Sequence, residues 1–325
     1  MTHTTSHIRE PFNIGAVRLS NRLVQAPLAG ISGRAFRLQA RRFGVGLVVT
    51  EMVSSYGVRY RNARTLEMLE LVEREHPVAV QLFGSDPEVM VQAAQAAESA
   101  GADIIDVNMG CPVRKVIKTG AGAALMGDEG LAVKIVAAMT DAVGIPVTVK
   151  MRSGSGRLVT AVSLARLLQD AGAAAICIHP RTGAQMWKGK ADHTVSVKLA
   201  AALDIPVIAS GDINGFEDAR RLLESGCAAV MIGRPALGDP WLFSDLLAGR
   251  EPGHRSLDEI LAEMGLFYED IVDEMGEARA ERHMRKFYGW YLRRFRPPTQ
   301  LRAALLHTHG FEEAERLIWQ AMRQD

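Results

Sequence analysis

The chain has 325 residues, of which 48% are apolar, 23% charged and 6% aromatic, a composition that supplies a sizeable core and excludes disordered and collagen-like classes. No run of about 18 apolar residues is present, so no membrane span is expected. A net charge of +1 excludes a uniformly basic or acidic chain, and three cysteines without Cys-x-x-Cys or Cys/His zinc spacing predict reduced thiols in a cytoplasmic protein that holds no metal.

Residues 1–11 are polar, lack the apolar core of a signal peptide and are expected to be a flexible N-terminus. Beyond them, eight β-prone runs recur at 23–26, 47–50, 78–82, 103–108, 146–150, 174–179, 206–210 and 228–233. Alanine- and leucine-rich helical patterns fill the gaps, among them 87–99, 131–142, 159–169 and 217–224. The helices before 103, 174 and 228 close on related phrases, Ser99-Ala100-Gly101, Asp170-Ala171-Gly172 and Ser225-Gly226, in which glycine is the expected helix stop. Strands that alternate with helices pair in parallel through right-handed crossovers. The pattern predicts an α/β chain with a (β/α)8 TIM barrel over 12–249. An open doubly wound sheet is the alternative, weakened by the lack of a Gly-x-Gly-x-x-Gly after the first strand.

After Gly249 the pattern changes. Leu257, Ile260, Leu261, Met264, Phe267, Ile271 and Met275 fall at helical spacing, and helical stretches follow at 278–295, 299–309 and 312–324. A small all-helical domain over 250–325 is predicted. Its segment from Arg279 to Arg302 carries eight basic residues, Arg285 and Lys286 among them, against one acid, Glu281, and such clustering suits a polyanion even in a nearly neutral chain. The interleaved aromatics Phe287, Tyr288, Trp290, Tyr291 and Phe295 read as core, and the arginines of the other face as phosphate contacts.

In a TIM barrel the strand ends carry the chemistry. Here they present Pro27, Leu28 and Ala29; Glu51; Gln81; Asn108 with Cys111; Lys150 with Arg152; His179; Ser210, Gly211 and Asp212; and Gly233 with Arg234. Cys111 lies between Gly110 and Pro112 just after an apolar run, so its thiol is presented on a stiff turn, whereas Cys177 and Cys227 sit in apolar runs and read as core fillers. Ser210-Gly211-Asp212 and Gly233-Arg234 follow strands seven and eight, where such barrels bind phosphate through backbone N–H groups. Lys150 ends an apolar strand, so its cation is in water, paired, or pointed at a ligand.

Six phrases in order, Pro27-Leu28-Ala29-Gly30-Ile31-Ser32, Asn108-Met109-Gly110-Cys111-Pro112-Val113-Arg114-Lys115-Val116, Lys150-Met151-Arg152, His179-Pro180-Arg181-Thr182, Ser210-Gly211-Asp212-Ile213 and Gly233-Arg234, resemble the tRNA-dihydrouridine synthases, nearest their bacterial B-type branch. The resemblance spans about residues 12 to 320 and implies an FMN-dependent barrel, reduced by NADPH, with a helical tRNA-binding domain. It puts flavin contacts on Pro27, Leu28, Ala29, Gln81, Lys150, His179, Ser210, Gly211, Asp212, Gly233 and Arg234, and the catalytic role on Cys111. Asn108, Lys115, Arg152, Arg285 and Lys286 are the expected substrate contacts, with Arg59, Arg61, Arg64 and Lys118 as further phosphate contacts near the mouth. The chain departs from the family pattern at Pro180, where glycine is usual, at Ser210, where asparagine is common, and at Phe287, where histidine is frequent.

The implied reaction reduces the 5,6 double bond of a uracil in tRNA, with hydride from reduced FMN and a proton from Cys111. A thiol with a pKa of about 8.5 is protonated at neutral pH and serves as an acid without special tuning. The rival readings are another FMN barrel that acts on a small molecule, like a dihydroorotate dehydrogenase, and an inactive tRNA-binding or chaperone protein. The expected partner is tRNA, bound by a monomer that touches no membrane.

Overall fold

The structure is a computed structural model and describes residues 6–155 and 160–322. Eight parallel strands form the barrel: β1 Leu23–Gln25, β2 Val48–Val49, β3 Val78–Phe83, β4 Ile104–Met109, β5 Val147–Arg152, β6 Ala175–His179, β7 Val207–Ser210 and β8 Ala229–Ile232. Each pairs with the next in parallel from β2 to β8, and β8 returns to β1. A single parallel bridge, Val24 to Leu47, closes the ring between β1 and β2. The barrel expectation therefore holds, and the open doubly wound sheet does not.

Helices α1 Arg34–Arg42, α2 Pro87–Ser99, α3 Glu129–Ala142, α4 Ala161–Asp170, α5 Thr194–Ala202, α6 Phe216–Glu224 and α7 Trp241–Leu247 surround it. The local chemistry explains their ends. Asp86 caps α2 by accepting from the N–H groups of Glu88 and Val89, and Pro87 takes the first helical position, where no N–H is needed. Gly101, Gly172 and Gly226 follow the last turns of α2, α4 and α6 at φ of 94°, 96° and 96°, a conformation that disfavours side chains. The helix expected over 159–169 is α4, and its first expected residue, Val159, lies outside the described residues.

Period-2 alternation divides each strand between two cores. On β4 the side chains of Ile105, Val107 and Met109 pack outward with α2 and α3, and Ile104 packs inward with Ala79, Ala175, Cys177, Ile208 and Ala229. The inward set therefore includes Asp106 and Asn108, and by the same count Thr148, Lys150 and Arg152 on β5 and Cys177 and His179 on β6. The parallel register sets Gln81 beside Asp106, Asn108 beside Lys150, and Arg152 beside His179. Polar residues thus fill only the upper, C-terminal half of the barrel.

Two elements were not legible in the sequence. An antiparallel hairpin, Phe12–Ile14 with Val17–Leu19, buries Ile14 and Leu19 in the interior cluster at the opposite end of the barrel. Within the stretch expected to be flexible, Ser6–Arg9 form a helical turn, and Ile8 is 1% exposed against the core around α6 and α7, an apolar anchor in a polar segment. Residues 1–5 lie outside the described ones.

The C-terminal region is helical throughout: α8 Leu257–Met275, α9 Glu277–Tyr291, a 3-10 turn Leu292–Phe295, α10 Thr299–Leu305 and α11 Gly310–Met322. Ser256 and Glu259 form a reciprocal capping box at the start of α8. Phe267, Phe287, Tyr288 and Tyr291 are buried in its core, with Phe267 and Phe287 edge to face at 4.7 Å, so the aromatics of the basic segment pack as expected. Ala35 and Phe36 of α1 join that core. Gln39 donates to Glu263 and to the Tyr291 hydroxyl, and Arg42 pairs with Glu263 and Asp270, which fastens the helical region to the barrel.

Candidate active site

The C-terminal strand ends open into a cavity of about 470 Å³. Its walls contain every residue expected to contact the flavin, from Pro27 to Arg234, together with Asn108, Cys111 and Arg152. Met52, Trp187 and Arg293 also line it and were not anticipated; Trp187, 48% exposed, stands in the loop after β6, where no strand-end signal marks it. Three expected substrate contacts lie elsewhere. Lys115 is exposed on the single turn Arg114–Ile117 beyond the cysteine loop, Arg285 is half-buried on α9, and Lys286 faces a second cleft.

A directional chain of hydrogen bonds runs up the barrel to Cys111. Asp106 is fully buried and accepts from the Thr148 hydroxyl at 2.8 Å and from the Gln81 amide at 2.6 Å. With its amide nitrogen committed there, Gln81 offers Oε1 to the Asn108 amide at 2.7 Å. Asn108 in turn presents Oδ1 to the N–H groups of Gly110 and Cys111, at 3.1 and 2.9 Å. Asn108 is thus a turn-capping residue whose second amide proton meets only the Met52 sulfur, at 3.9 Å. Burial pushes the Asp106 carboxyl up to about 6, against the Gln81 and Thr148 hydrogen bonds and Lys150.

Arg152 braces the same loop from the other side. Its guanidinium, on a residue 3% exposed, donates Nε to the Gly110 carbonyl at 2.8 Å and Nη1 to the carbonyls of Thr182 and Met186 at 2.9 and 2.7 Å. The cysteine loop and the Trp187 loop are therefore tied to one side chain. Burial is the main reason its pKa falls to about 10; Cys111 opposes the fall, and Arg181 and Arg234 add to it.

Around His179 the donors and acceptors fix one tautomer. Arg181 Nη1 lies 3.1 Å from His179 Nε2, and because a guanidinium only donates, Nε2 is the acceptor and Nδ1 carries the hydrogen. Arg181 is itself held by Asp212 at 2.6 Å and by the Gly189 carbonyl at 2.6 Å. Burial first, then Lys150, Arg152, Arg181 and Arg234, push the imidazole down to about 2, so His179 is neutral and is not an acid. Burial pushes the Asp212 carboxyl up, but the Ala191 N–H with Arg181 and Arg234 holds it below the usual carboxylate range.

The loops after β7 and β8 leave a row of backbone donors open to the cavity. Gly211, at φ 103°, lets the chain pass the His179 ring; a Cβ there would come within 2.6 Å of the imidazole. Among the described residues, the N–H groups of Gly211, Asp212, Gly233 and Arg234 find no acceptor, and the Arg234 side chain is 54% exposed beside them. Unpaired backbone donors, an arginine and the Lys150 cation deeper in the cavity fit the phosphate and ring of a flavin mononucleotide. Of the other cysteines, Cys177 and Cys227 are buried, their thiols pushed up by burial to about 12 and about 11.

A second cleft of about 1090 Å³ opens between the barrel rim and the helical region, lined by Glu51, Arg64, Glu274, Arg279, Arg282, Lys286 and neighbours. Here the Gly30 peptide is gripped on both sides, its N–H by Glu51 and its carbonyl by Lys286 of α9. The loop that forms one wall of the strand-end cavity is thereby linked to the helical region. Among the described residues, no helix is long and apolar enough to cross a membrane.

A protein-family model described as "Dihydrouridine synthase (Dus)" matches residues 24–324. The chain is 41% identical over 293 residues to the tRNA-dihydrouridine synthase B of Pseudomonas aeruginosa, covering 86% of each protein. It is 37% identical over 312 residues to the tRNA-dihydrouridine synthase B of Vibrio vulnificus, covering 92% of this chain and 97% of that one. Among solved structures, a morphinone reductase superposes with a TM-score of 0.58 at 17% identity, over 80% of this chain and 94% of the other. A variant of NCR from Zymomonas mobilis superposes with a TM-score of 0.55 at 18% identity, over 78% and 95%. At such identities these two show a shared barrel fold.

Proposed function

Because the chain belongs to the dihydrouridine synthase family, we propose that it reduces uridines in tRNA to 5,6-dihydrouridine with bound FMN, which NADPH re-reduces. The observation that carries the reading is the position of Cys111: half-buried on the rim of a cationic cavity, on a loop fixed by Asn108 and by Arg152. When reduced, the flavin supplies a hydride to carbon 6 of the uracil.

The chain's own residues do the rest. Gly211, Asp212, Gly233 and Arg234 hold the phosphate, with Ser210 beneath them. Pro27, Leu28, Ala29 and Gln81 wall the ring, Lys150 stabilises negative charge on it, and neutral His179 offers its Nδ1 hydrogen. Cys111 donates the proton to carbon 5 from the opposite side of the flat base, so acid and hydride source flank one ring. The Asn108 amide proton that otherwise meets the Met52 sulfur, and the Nη2 of Arg152, contact the extruded uracil. Lys115 near the mouth, and Arg285 and Lys286 on α9, contact tRNA phosphates. On this reading residues 12–249 are the catalytic barrel and 250–325 a tRNA-binding domain of a monomeric cytoplasmic enzyme.

The test is direct. The purified protein should be yellow and release FMN, and tRNA from a deletion strain should regain dihydrouridine when the gene is restored. A colourless protein, or a dihydrouridine map unchanged by the deletion, refutes the reading.

A further inference from the structure

Two tyrosines stand out of the surface beside the cavity mouth. Tyr56 is 41% exposed and Tyr60 73%, and their rings stack at 6.0 Å with 22° between planes. Phenol rings of this size are seldom left so open without a partner. Their placement is firm. They belong to the turn that begins with Ser55–Arg59, capped by the Ser54 hydroxyl, and Arg61 continues it at φ 52° with its N–H on the Val58 carbonyl. The Tyr56 hydroxyl donates to Asp86 at 3.3 Å.

This turn adjoins the active site. It starts three residues after Met52, which lines the cavity and lies against the Asn108 amide at 3.9 Å. The neighbouring loop at Ser85 donates to the Thr119 carbonyl at 2.6 Å, which joins the platform to the loop that carries Cys111. Arg59, Arg61 and Arg64 belong to the same stretch as the rings, and Arg114, Lys115 and Lys118 to the loop that Ser85 joins to it, all exposed. None of these six side chains has a hydrogen bond or ion pair among the described residues. By contrast, Arg220 is paired with Glu217 and Glu224, and Arg221 with Asp218.

Flat, accessible rings flanked by unpaired cations match a single-stranded polynucleotide, whose bases stack and whose phosphates need neutralising. They do not match a protein surface of mixed charge. We propose that Tyr60, backed by Tyr56, is a stacking platform for an unpaired base next to the target uridine, with the flanking arginines on its phosphates. The proposal rests on the tRNA reading above. A uridine drawn out of its stack leaves its neighbours unstacked as well, and the platform receives one of them.

The experiment uses the flavin-loaded full chain with Tyr60→Ala, Tyr60→Phe and a triple Arg59→Ala, Arg61→Ala, Arg64→Ala variant. Flavin reduction by NADPH, tRNA affinity across salt concentrations, dihydrouridine formation and light scattering are measured. Tyr60→Ala should weaken tRNA binding roughly 5- to 150-fold with an unchanged salt slope, because stacking releases no counterions. Tyr60→Phe should stay within about twofold of the parent, because the ring and not the hydroxyl stacks. The triple variant should flatten the salt slope. Parent-like tRNA binding by Tyr60→Ala overturns the platform, as does a loss traced by light scattering to a broken contact between copies of the chain. Failure of the parent enzyme to form dihydrouridine would instead strike the tRNA reading itself.

Discussion

Replacing Arg152 separates charge from geometry in the proposed proton transfer. Arg152→Met keeps the apolar stem but removes one bond to Gly110 and two to Thr182 and Met186. The carbonyls of Gly110 and Met186 are reachable by water, whereas Thr182 is 6% exposed and its orphaned carbonyl costs about 1–3 kcal/mol. The fold should survive that loss. The chemistry should not, because the cysteine loop loses the brace opposite Asn108, and a misplacement of about 1 Å costs on the order of 100-fold. Arg152→Lys restores the charge but cannot span three carbonyls, so it should fall with methionine and not with the parent. The assay is rapid mixing of the two half-reactions. Flavin bleaching by NADPH should stay within about twofold of the parent, and single-turnover reoxidation by tRNA should slow by about 100-fold in both variants. A lysine variant that reoxidises at the parent rate refutes the brace and leaves only charge.

Further outcomes follow from the same geometry. Cys111→Ala should bind flavin and accept electrons from NADPH normally while dihydrouridine formation drops by about 10²- to 10⁴-fold; normal tRNA reduction by this variant removes the acid assignment. Asp106 titrates at about 6 in the fold against 3.8 ordinarily, so the folded state binds the extra proton between these values and stability from this group falls by about 3 kcal/mol as pH rises through that window. Asp106→Asn should therefore gain melting temperature relative to the parent at pH 7.5 compared with pH 4; a pH-independent difference contradicts the buried charge. Arg37 and Glu75 form an ion pair at 2.6 Å, with the side chains 4% and 0% exposed. Arg37→Met should cost about 3–5 kcal/mol by stranding the carboxylate, and adding Glu75→Met should recover most of it; urea unfolding in which the single and double variants match would count against the pair.

The barrel was legible because period-2 runs and glycine helix stops repeat. Pro87 and Gly101 bound α2 as the sequence predicts, and the strand ends from the third to the eighth deliver their polar residues to one cavity, whereas Glu51 after the second lines the other cleft. What stayed hidden depends on long-range partners. Asp106 sits inside an apolar run and reads as an ordinary strand residue, yet it sets the direction of the chain that ends at Cys111 through Gln81 on another strand. The expectation for Arg152 came from its motif, and no motif says that three carbonyls from two loops converge on it. The hairpin near residue 14 escaped because strands of three residues give too few turns of the alternation to register. Lys286 belongs to a basic cluster by sequence, but the fold turns it onto Gly30, toward the flavin wall.

Positive charge dominates the cavity. Lys150, Arg152, Arg181 and Arg234 all lie close enough to act on His179, and the acids near them are Asp106 below and Asp212 at the rim. Burial together with repulsion among these cations lowers the pKa of Arg152, and burial first, then the four cations, keeps the His179 imidazole neutral. Such a field is costly in an empty barrel and is relieved by a phosphate at one end and by negative charge on a reduced ring at the other. A ligand bound more tightly when reduced than when oxidised has its reduction potential raised by that difference in affinity. On the proposed reading, the cations that would hold the flavin therefore bias it toward the form that delivers hydride. On the same reading the cavity takes the target uracil, and Arg59, Arg61 and Lys115, exposed outside it, are left for the rest of the RNA.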